Sequence, residues 1–211
     1  MYHALIPVKA LSEVKSRLAP YLTLYQRDEL VLTMLQHVIQ VLLGCYEIAQ
    51  VSVVSSDLRV LEYAHTLGAY VLPEEQQGHN PALHAAATRE KAIGTTALLT
   101  ISADLPLLQR ADIEHMIEAS QQYDVVLAPS QEGTGTNAVL MRPPLALPYV
   151  FGPDSLQRYQ QEAERHELFT TLVKRPGLSL DVDTIKDLEL FRRYEEEEQT
   201  AAHIVDTAYL L

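Results

Sequence analysis

Three aspartates, Asp104, Asp181 and Asp183, follow apolar runs at points where buried strands are expected to end. Asp104 follows "ALLTISA", and the other two stand two residues apart in "LSLDVD", a spacing that points both side chains the same way in an extended segment. Carboxylates gathered in one crevice repel each other unless a cation lies between them. Ligand sets made only of oxygen suit Mg²⁺, which often shares its site with substrate phosphates. The pattern predicts a magnesium site held by these three aspartates.

Two of these carboxylates also have a purely structural interpretation. Asp104 could cap the turn that precedes Pro106, and Asp183 could be the N-cap of a helix that begins in "TIKDLE". The functional interpretation therefore depends on the three aspartates occurring together and on positive charge nearby.

Positive charge is concentrated in a loop directly after the first predicted strand. The loop "VKALSEVKSRLAP" holds Lys9, Lys15 and Arg17, three of the 16 lysines and arginines in the chain. Lysine offers a point charge to a phosphate group, and arginine offers a bidentate fork. The loop has no glycine, so it is not a Walker A motif. A solvated charged loop is the structural alternative.

Two further stretches predict a site for a second anion. In "FGPDSLQRY", Gly152 allows close backbone approach and precedes a predicted helix with Ser155 near its start, and a helix N-terminus favours anions. In "EGTGTN", small residues also allow close approach, and Thr136 and Asn137 supply donors. Simple helix capping by Asp154 or Ser155, and an ordinary turn, are the competing interpretations.

The elements that must position these residues follow from the hydrophobic pattern. Apolar runs alternate with helical segments, which predicts a mostly parallel sheet with helices on both faces. The stretch "QEGTGTNAVLMRP" breaks the alternation and predicts one antiparallel insertion. Thr23 and Gln26 form a capping box before the longest predicted helix, and Gly44 ends it. The predicted strands are 2–8, 50–56, 69–72, 96–102, 124–130, 138–143, 170–176 and 178–183.

The length, charge and composition of the whole chain further limit the domain organisation and the classes of partner. Its 211 residues suit one large domain, which we assign to 1–191, followed by an acidic C-terminal extension at 192–211. A net charge of −12 argues against nucleic-acid binding. No apolar run reaches membrane-spanning length and the N-terminus does not read as a secretory signal, so we expect a cytoplasmic protein with no membrane partner. The single cysteine, Cys45, is expected to be buried, and a homodimer is compatible with the sequence.

Five motifs together resemble a known family. "IPVKALSEVKSRLAP", "ISADLPLL", "GTGTNAVLMRPP", "FGPDSLQRY" and "LSLDVDTIKDLELF" occur in this order. They resemble the 2-phospho-L-lactate guanylyltransferases, which include the phosphoenolpyruvate guanylyltransferases of coenzyme F420 biosynthesis. The resemblance extends to about Phe191, and the combination is specific although no single motif is. It implies a single-domain, three-layer α/β nucleotidyltransferase fold similar to that of molybdopterin guanylyltransferases.

The resemblance also implies roles for individual residues. The implied assignments are metal ligands Asp104, Asp181 and Asp183; catalytic residues Lys15, Arg17 and Asp104; nucleotide-binding residues Lys9, Lys15, Arg17 and Asn80; and acceptor-binding residues Thr136, Gly152 and Ser155. The chain departs from the family at "GHNPAL", where relatives more often have Gly-Leu-Asn, so His79 stands in place of an apolar residue.

The implied activity is transfer of GMP from GTP to phosphoenolpyruvate or 2-phospho-L-lactate, with release of pyrophosphate. The attacking group is already an anionic phosphate, so no general base is required and catalysis reduces to charge neutralisation and alignment. Two alternatives remain open. One is a nucleotidyltransferase of the same fold with a molybdopterin- or sugar-phosphate-type acceptor, and the other is a non-catalytic nucleotide-binding protein. Retention of all three aspartates and the basic loop argues against the second.

Overall fold

The computed structural model describes residues 1–194, which fold around one seven-stranded sheet. The strands are β1 Tyr2–Pro7, β2 Ile48–Ser55, β3 Tyr70–Pro73, β4 Ala97–Ile101, β5 Val125–Pro129, β6 Thr136–Met141 and β7 Thr170–Leu172. The helices are α1 Leu24–Leu43, α2 Leu58–Thr66, α3 His79–Ala92, α4 Arg110–Ala119, α5 Ser155–Arg165 and the single turn α6 Pro176–Ser179. A last helix, α7, spans 185–194, and a short 3₁₀ turn lies at Ser16–Leu18.

The strand order is β3-β2-β1-β4-β6-β5-β7. Strands β1 to β4 pair in parallel, β6 is antiparallel to both β4 and β5, and β7 is parallel to β5. The predicted mostly parallel sheet with one antiparallel insertion is therefore confirmed. Because the chain winds outward from β1 to β3 and then returns to place β4 on the other side of β1, the sheet has a switch point between β1 and β4.

Helices cover both faces of the sheet, so the predicted three-layer architecture is also confirmed. Successive strand residues point to opposite faces, as Ala4 and Leu5 do on β1. Ala4 joins a core built with α1, α2 and α4, whereas Leu5 joins a core that includes residues of α3 and α5. Both faces of the central strands are buried, which explains why their sequences are almost continuously apolar.

Helix α1 begins and ends where the sequence predicts. Thr23 is its N-cap and accepts a hydrogen bond from the backbone of Gln26, whose side chain accepts one from the backbone of Thr23. Gly44 is the C-cap. Such a cap stabilises a helix by about 1 kcal/mol. Cys45, just beyond it, is buried as expected, and burial raises the pKa of its thiol to about 11.

The strand predicted at 178–183 is wrong. Leu178 lies in the single turn of α6, and residues 180–183 run as irregular chain without strand pairing. Pro176 occupies the first turn of α6, where its missing N–H carries no penalty. Leu178, Leu180 and Val182 are all buried, so the alternating pattern reflects packing of an irregular segment instead of a strand.

The C-terminal region is described only in part. Helix α7 runs without interruption past the predicted boundary at 191/192 as far as 194. The acidic run at 195–198 and the rest of the predicted extension lie outside the described residues. Among the residues that are described, none of the helices combines the length and apolar character needed to cross a membrane.

Candidate active site

A cleft of about 490 Å³ opens at the carboxyl ends of β1 and β4, at the switch point of the sheet. Ligands of open α/β sheets bind at this position. Residues that line the cleft include Pro7, Val8, Lys9, Lys15, Arg17, His79, Ser102, Ala103, Asp104, Phe151, Gly152 and Asp183. The structure thus brings six predicted site residues to the cleft wall, whereas Asp181, Asn80, Thr136 and Ser155 are not among its lining residues.

The basic loop after β1 is held by buried apolar side chains. Leu11 and Leu18 are buried at its two ends, and the backbone N–H of Leu11 donates to Asp57 at 3.0 Å. Between these anchors Lys15 has a left-handed backbone, with φ 52° and ψ 36°. A non-glycine residue held in this region costs about 1–3 kcal/mol, and such strain clusters at functional sites.

Lys15 turns inward and pairs with two carboxylates. Its Nζ lies 2.5 Å from Asp104 Oδ2 and 2.7 Å from Asp183 Oδ1, and its side chain is only 5% exposed. Burial alone would lower the pKa of Lys15, but the two carboxylates raise it above its usual value, so the ammonium stays charged. Burial likewise opposes ionisation of Asp183, but Lys15, and then Arg17 and Lys9, hold the pKa of Asp183 below its usual range.

The structural interpretations of the two carboxylates do not hold. Thr184, and not Asp183, caps α7: Thr184 and Asp187 exchange hydrogen bonds in which the hydroxyl of Thr184 accepts from the backbone of Asp187. The carboxylate of Asp183 is left to face Lys15. Asp104 also contacts Lys15 instead of capping the turn before Pro106. Both carboxylates are therefore directed at the cleft.

Asp181 carries negative charge that its surroundings do not fully compensate. Its Oδ1 accepts a hydrogen bond from Asn137 Nδ2 at 3.0 Å. Burial, followed by the nearby Asp104 and Asp183, raises the pKa of Asp181 to about 6. As the side chains stand, residues 1–194 contain no group of three or more His, Cys, Asp or Glu side chains placed to hold a metal ion. Lys15 instead bridges two of the three aspartates.

The segment that carries Asp181 and Asp183 is fastened at its start to helix α4. Arg175, the N-cap of α6, pairs through Nε with the buried carboxylate of Asp112. Gly177 packs so closely on Asp112 that a methyl group at this position would overlap its carboxylate. Only glycine fits there without movement of the segment, since the overlap falls on a buried, ion-paired group.

Asn137 fastens the same segment to the sheet. In addition to Asp181, its side-chain amide donates to the backbone oxygens of Leu178 at 3.1 Å and Ser179 at 3.0 Å. The backbone N–H of Val182 donates to the oxygen of Asp104 at 3.2 Å. The sequence predicts a ligand donor in Asn137, but its amide holds the chain that positions the aspartates.

The predicted acceptor residues lie at the same edge of the sheet. Thr136 begins β6, and because β6 runs antiparallel to β4, its start lies beside the carboxyl end of β4. Ser155 Oγ lies 3.2 Å from Thr136 Oγ1, and both residues are buried. Gly152 lines the cleft with φ 122°, a conformation that L side chains rarely adopt.

The N-terminus of α5 is less open than the sequence suggests. The N–H of Ser155 donates to the oxygen of Gly152 at 3.2 Å, and the N–H of Leu156 donates to that of Thr134 at 3.1 Å. These two groups already have partners within the protein. Asp154 is the N-cap but makes no capping hydrogen bond through its side chain, so capping by this residue is not its role.

Asn80 supports the cleft wall from behind. Its amide donates to the oxygen of Phe151 at 3.0 Å and accepts from the N–H of Phe151 at 2.9 Å. His79, by contrast, faces the cleft, and its ring meets that of Phe151 edge-on at 5.6 Å. Desolvation in this wall, and then Lys9, lower the pKa of His79, which favours the neutral imidazole.

His79 and Phe151 were not assigned to the site from the sequence. A signal existed for His79, which departs from the family pattern at the start of a predicted helix. No comparable signal marked Phe151, because its contacts with His79 and Asn80 join residues 71 or more positions apart.

Comparisons with known proteins point to one family. The family described as "Guanylyl transferase CofC like" matches residues 2–203. A phosphoenolpyruvate guanylyltransferase of Rubrobacter xylanophilus is 41% identical over 186 residues, covering 88% of this chain and 90% of the relative. A 2-phospho-L-lactate guanylyltransferase of Methanothermobacter thermautotrophicus is 36% identical over 186 residues, covering 88% and 81% of the two chains.

A solved structure supports the fold. The 4-diphosphocytidyl-2C-methyl-D-erythritol synthase of Anaerococcus prevotii matches with a TM-score of 0.63 over 93% of this chain and 96% of that chain, at 11% identity. At so low an identity the match shows the fold alone, which is the predicted nucleotidyltransferase fold. With the family matched over nearly the whole sequence and relatives above 30% identity over most of it, the chain belongs to the CofC-like guanylyl transferase family and is a guanylyltransferase.

Proposed function

We propose that the protein transfers GMP from GTP to phosphoenolpyruvate or 2-phospho-L-lactate in coenzyme F420 biosynthesis. The observation that carries the proposal is the charge cluster of Lys15, Asp104 and Asp183 at the base of the cleft. Such a cluster suits a reaction between two anions, in which repulsion is the main obstacle. Of the two acceptors we favour phosphoenolpyruvate, which is named for the relative at 41% identity.

The basic loop is the proposed binding site for the GTP phosphates. Lys9 and Arg17 are exposed and line the cleft, so both are free to contact a triphosphate. Arg17 offers two parallel donors to the departing pyrophosphate, and Lys15 adds a third positive charge. Asn80 would act on the nucleotide through Phe151, since its amide holds that part of the wall.

The chemistry of the acidic residues fits Mg²⁺. Asp104, Asp181 and Asp183 present only oxygen donors, and the raised pKa of Asp181 indicates negative charge that a cation would stabilise. These are the residues that would hold the ion. When bound, Mg²⁺ would neutralise charge on phosphate oxygens and so lower the repulsion between the two substrates.

The acceptor is proposed to lie on the side of Thr136, Gly152 and Ser155. Gly152 lets the backbone come close to a ligand, and nearby Ser155 Oγ donates to Thr136 Oγ1 in a buried pair, which leaves the hydroxyl hydrogen of Thr136 to donate. In the reaction an acceptor phosphate oxygen forms a bond to the α-phosphorus of GTP, while the bond to the β-phosphate oxygen breaks and pyrophosphate leaves. The chain's contribution is to align these groups, since no proton must be removed.

The two candidate acceptors differ at one carbon, which is planar in phosphoenolpyruvate and tetrahedral with a methyl group in 2-phospho-L-lactate. A difference of this size gives about 1–3 kcal/mol of discrimination, so both acids are expected to react in vitro.

The test is a pyrophosphate-release assay with the full chain, GTP, Mg²⁺ and a panel of acceptors. We expect release with phosphoenolpyruvate and 2-phospho-L-lactate and the corresponding guanylylated acid by mass spectrometry. Reactions with CTP in place of GTP, and with 3-phosphoglycerate as acceptor, serve as controls. Release with neither three-carbon acid, together with release on another acceptor, would reject the proposed substrate.

A further inference from the structure

Lys15 differs from the other two basic residues of its loop. Lys9 and Arg17 are exposed, whereas the Lys15 side chain is 5% exposed and its Nζ lies within 2.7 Å of a carboxylate oxygen on each of Asp104 and Asp183. The two carboxylates belong to separate parts of the chain, one after β4 and one before α7. A single ammonium therefore holds together two of the three residues proposed to bind the cation.

We infer that Lys15 and a divalent cation compete for Asp104 and Asp183, so that the free protein keeps the lysine on these carboxylates and takes up the cation as the lysine leaves. The inference rests on the metal site of the proposed function, and the group proposed to draw the lysine away is the triphosphate of GTP.

The competition follows from charge and from side-chain chemistry. An ammonium and a divalent ion that contact the same carboxylate oxygens repel each other at short range, so they exclude one another. Lysine is suited to leave, because its ammonium is a point charge on a flexible four-carbon stem and gains equivalent contacts from phosphate oxygens. A divalent ion also brings more positive charge than the lysine to a cluster of three carboxylates.

A second observation concerns the third carboxylate. The backbone N–H of Val182 donates to the oxygen of Asp104 at 3.2 Å, which places the segment 181–183 beside Asp104. Asp181 Oδ1 accepts a hydrogen bond from Asn137, whereas the ion pairs of Lys15 go to Asp104 and Asp183. One ammonium therefore contacts two of three carboxylates on neighbouring segments, and a divalent cation supplies twice its charge.

The first experiment measures binding of Mn²⁺, as a paramagnetic substitute for Mg²⁺, to the full chain without nucleotide. We expect Lys15→Met to bind Mn²⁺ at least tenfold more tightly than the unmodified protein by electron paramagnetic resonance. The matched control is Lys9→Met, which removes the same charge from the same loop without breaking a contact to Asp104 or Asp183. It should change the affinity less than threefold.

Equal affinities for Lys15→Met and the unmodified protein would overturn the inference. An equal gain in both variants would also overturn it, since the effect would then come from the overall charge of the loop. Neither measurement includes GTP or an acceptor acid, so this result is independent of whether guanylyl transfer is found in the assay above.

A measurement on the unmodified protein covers the case in which Lys15→Met does not fold. Amine acetylation followed by mass spectrometry reports the reactivity of each lysine. We expect Lys15 to react several-fold faster at saturating Mn²⁺ than without it, whereas exposed Lys9 reacts at the same rate in both conditions. Unchanged protection of Lys15 at saturating Mn²⁺ would show that the cation does not displace it.

Discussion

The amino and carboxyl ends of the central strands carry polar clusters of opposite character. Near the amino ends of β1 and β4, Glu90 is 2% exposed and accepts hydrogen bonds at both carboxylate oxygens. His3 Nδ1 lies 2.6 Å from Oε2, and Ser52 Oγ donates to Oε1 at 2.5 Å. Gln50 donates to both oxygens, and Thr95 contacts His3 at 2.7 Å.

At the carboxyl edge, the cluster around Lys15 is open to the cleft and incompletely compensated. Asp104 and Asp183 have one ammonium between them, and Asp181 ionises with difficulty. A buried network in which every group has a partner rigidifies a fold. A cluster with residual charge in a cleft is a candidate site for a ligand. The same types of residue thus form a fully paired buried network at the amino ends of the strands and the proposed binding site at the carboxyl ends.

The largest expected effect is a loss of turnover on substitution of Asp104, with the fold retained. Asp104→Asn removes one charge from a site that works by charge neutralisation, and we expect turnover to fall about 10²–10³-fold. The melting temperature should change little, because Asp104 is partly exposed. Steady-state rates at saturating Mg²⁺ and thermal melts of the same sample provide the measurement. Near-native turnover of the folded variant would exclude Asp104 as a ligand.

The next effect is a loss of stability, with turnover retained, on substitution of Glu90 at the amino ends of the strands. Glu90→Ala leaves several buried donors without an acceptor, and we expect the free energy of unfolding to fall by about 3 kcal/mol. Urea denaturation measures the loss, and turnover per folded molecule should be retained. Glu90→Gln is the control, since it keeps the volume and one acceptor. If Glu90→Ala abolished turnover in folded protein, the division of labour between the edges would be incorrect.

Smaller effects on the kinetics of each substrate distinguish the proposed GTP end of the cleft from the proposed acceptor end. Arg17→Ala should lower kcat/KM for GTP by the equivalent of about 1.5–3 kcal/mol, the range for a hydrogen bond to a charged group. Ser155→Ala should lower kcat/KM for the acceptor by the equivalent of about 1 kcal/mol, the value of a neutral hydrogen bond. Kinetics with one substrate varied and the other fixed separate the two. A Ser155→Ala defect confined to the GTP series would reverse the assignment of the ends.

A further effect of modest size concerns pH and sharpens the contrast between the two ends of the strands. Because the pKa of Asp181 is raised from 3.8 to about 6, the folded protein holds this proton more tightly than the unfolded chain. Protonated Asp181 therefore contributes to the stability of the folded state below about pH 4, and this contribution is lost as pH rises through 6. Without divalent cations, Asp181→Asn should therefore be more stable than the unmodified protein at pH 7, by about 1–2 kcal/mol after allowance for solvent screening.

Urea denaturation at pH 7 and pH 4, both with chelator, checks this prediction. Asp181→Asn should raise the free energy of unfolding at pH 7 but not at pH 4. An increase of the same size at both pH values would mean that the charge on Asp181 is not its cause.

The sequence predicts the regular elements well because burial of both sheet faces leaves a strong pattern. The strands of the central sheet and the capping box at Thr23 are confirmed, since each depends on neighbours in the chain. Asp104 reaches the cleft because it follows β4, whereas Asp183 reaches it on irregular chain that the sequence wrongly presents as a strand. The ion pairs of Lys15 with these two carboxylates were not predicted from the sequence.

The errors come from interactions between distant residues. Leu178, Leu180 and Val182 alternate like a strand, yet no neighbouring strand is available to pair with them. The amides of Asn80 and Asn137 looked free to bind ligands, but each is engaged by backbone 71 or 41 positions away. Side-chain donors in the sequence show what can be bound, whereas long-range contacts decide whether the partner is a ligand or the chain itself.

The reversed direction of β6 has a consequence for how the proposed site is laid out along the sequence. Because β6 starts where its neighbour β4 ends, the proposed acceptor residues Thr136, Gly152 and Ser155 all fall within one uninterrupted stretch, 130–155. The basic loop and Asp104 precede this stretch, whereas Asp181 and Asp183 follow it. A substitution within the stretch therefore changes the proposed acceptor end without replacing any charged residue of the proposed nucleotide and metal sites.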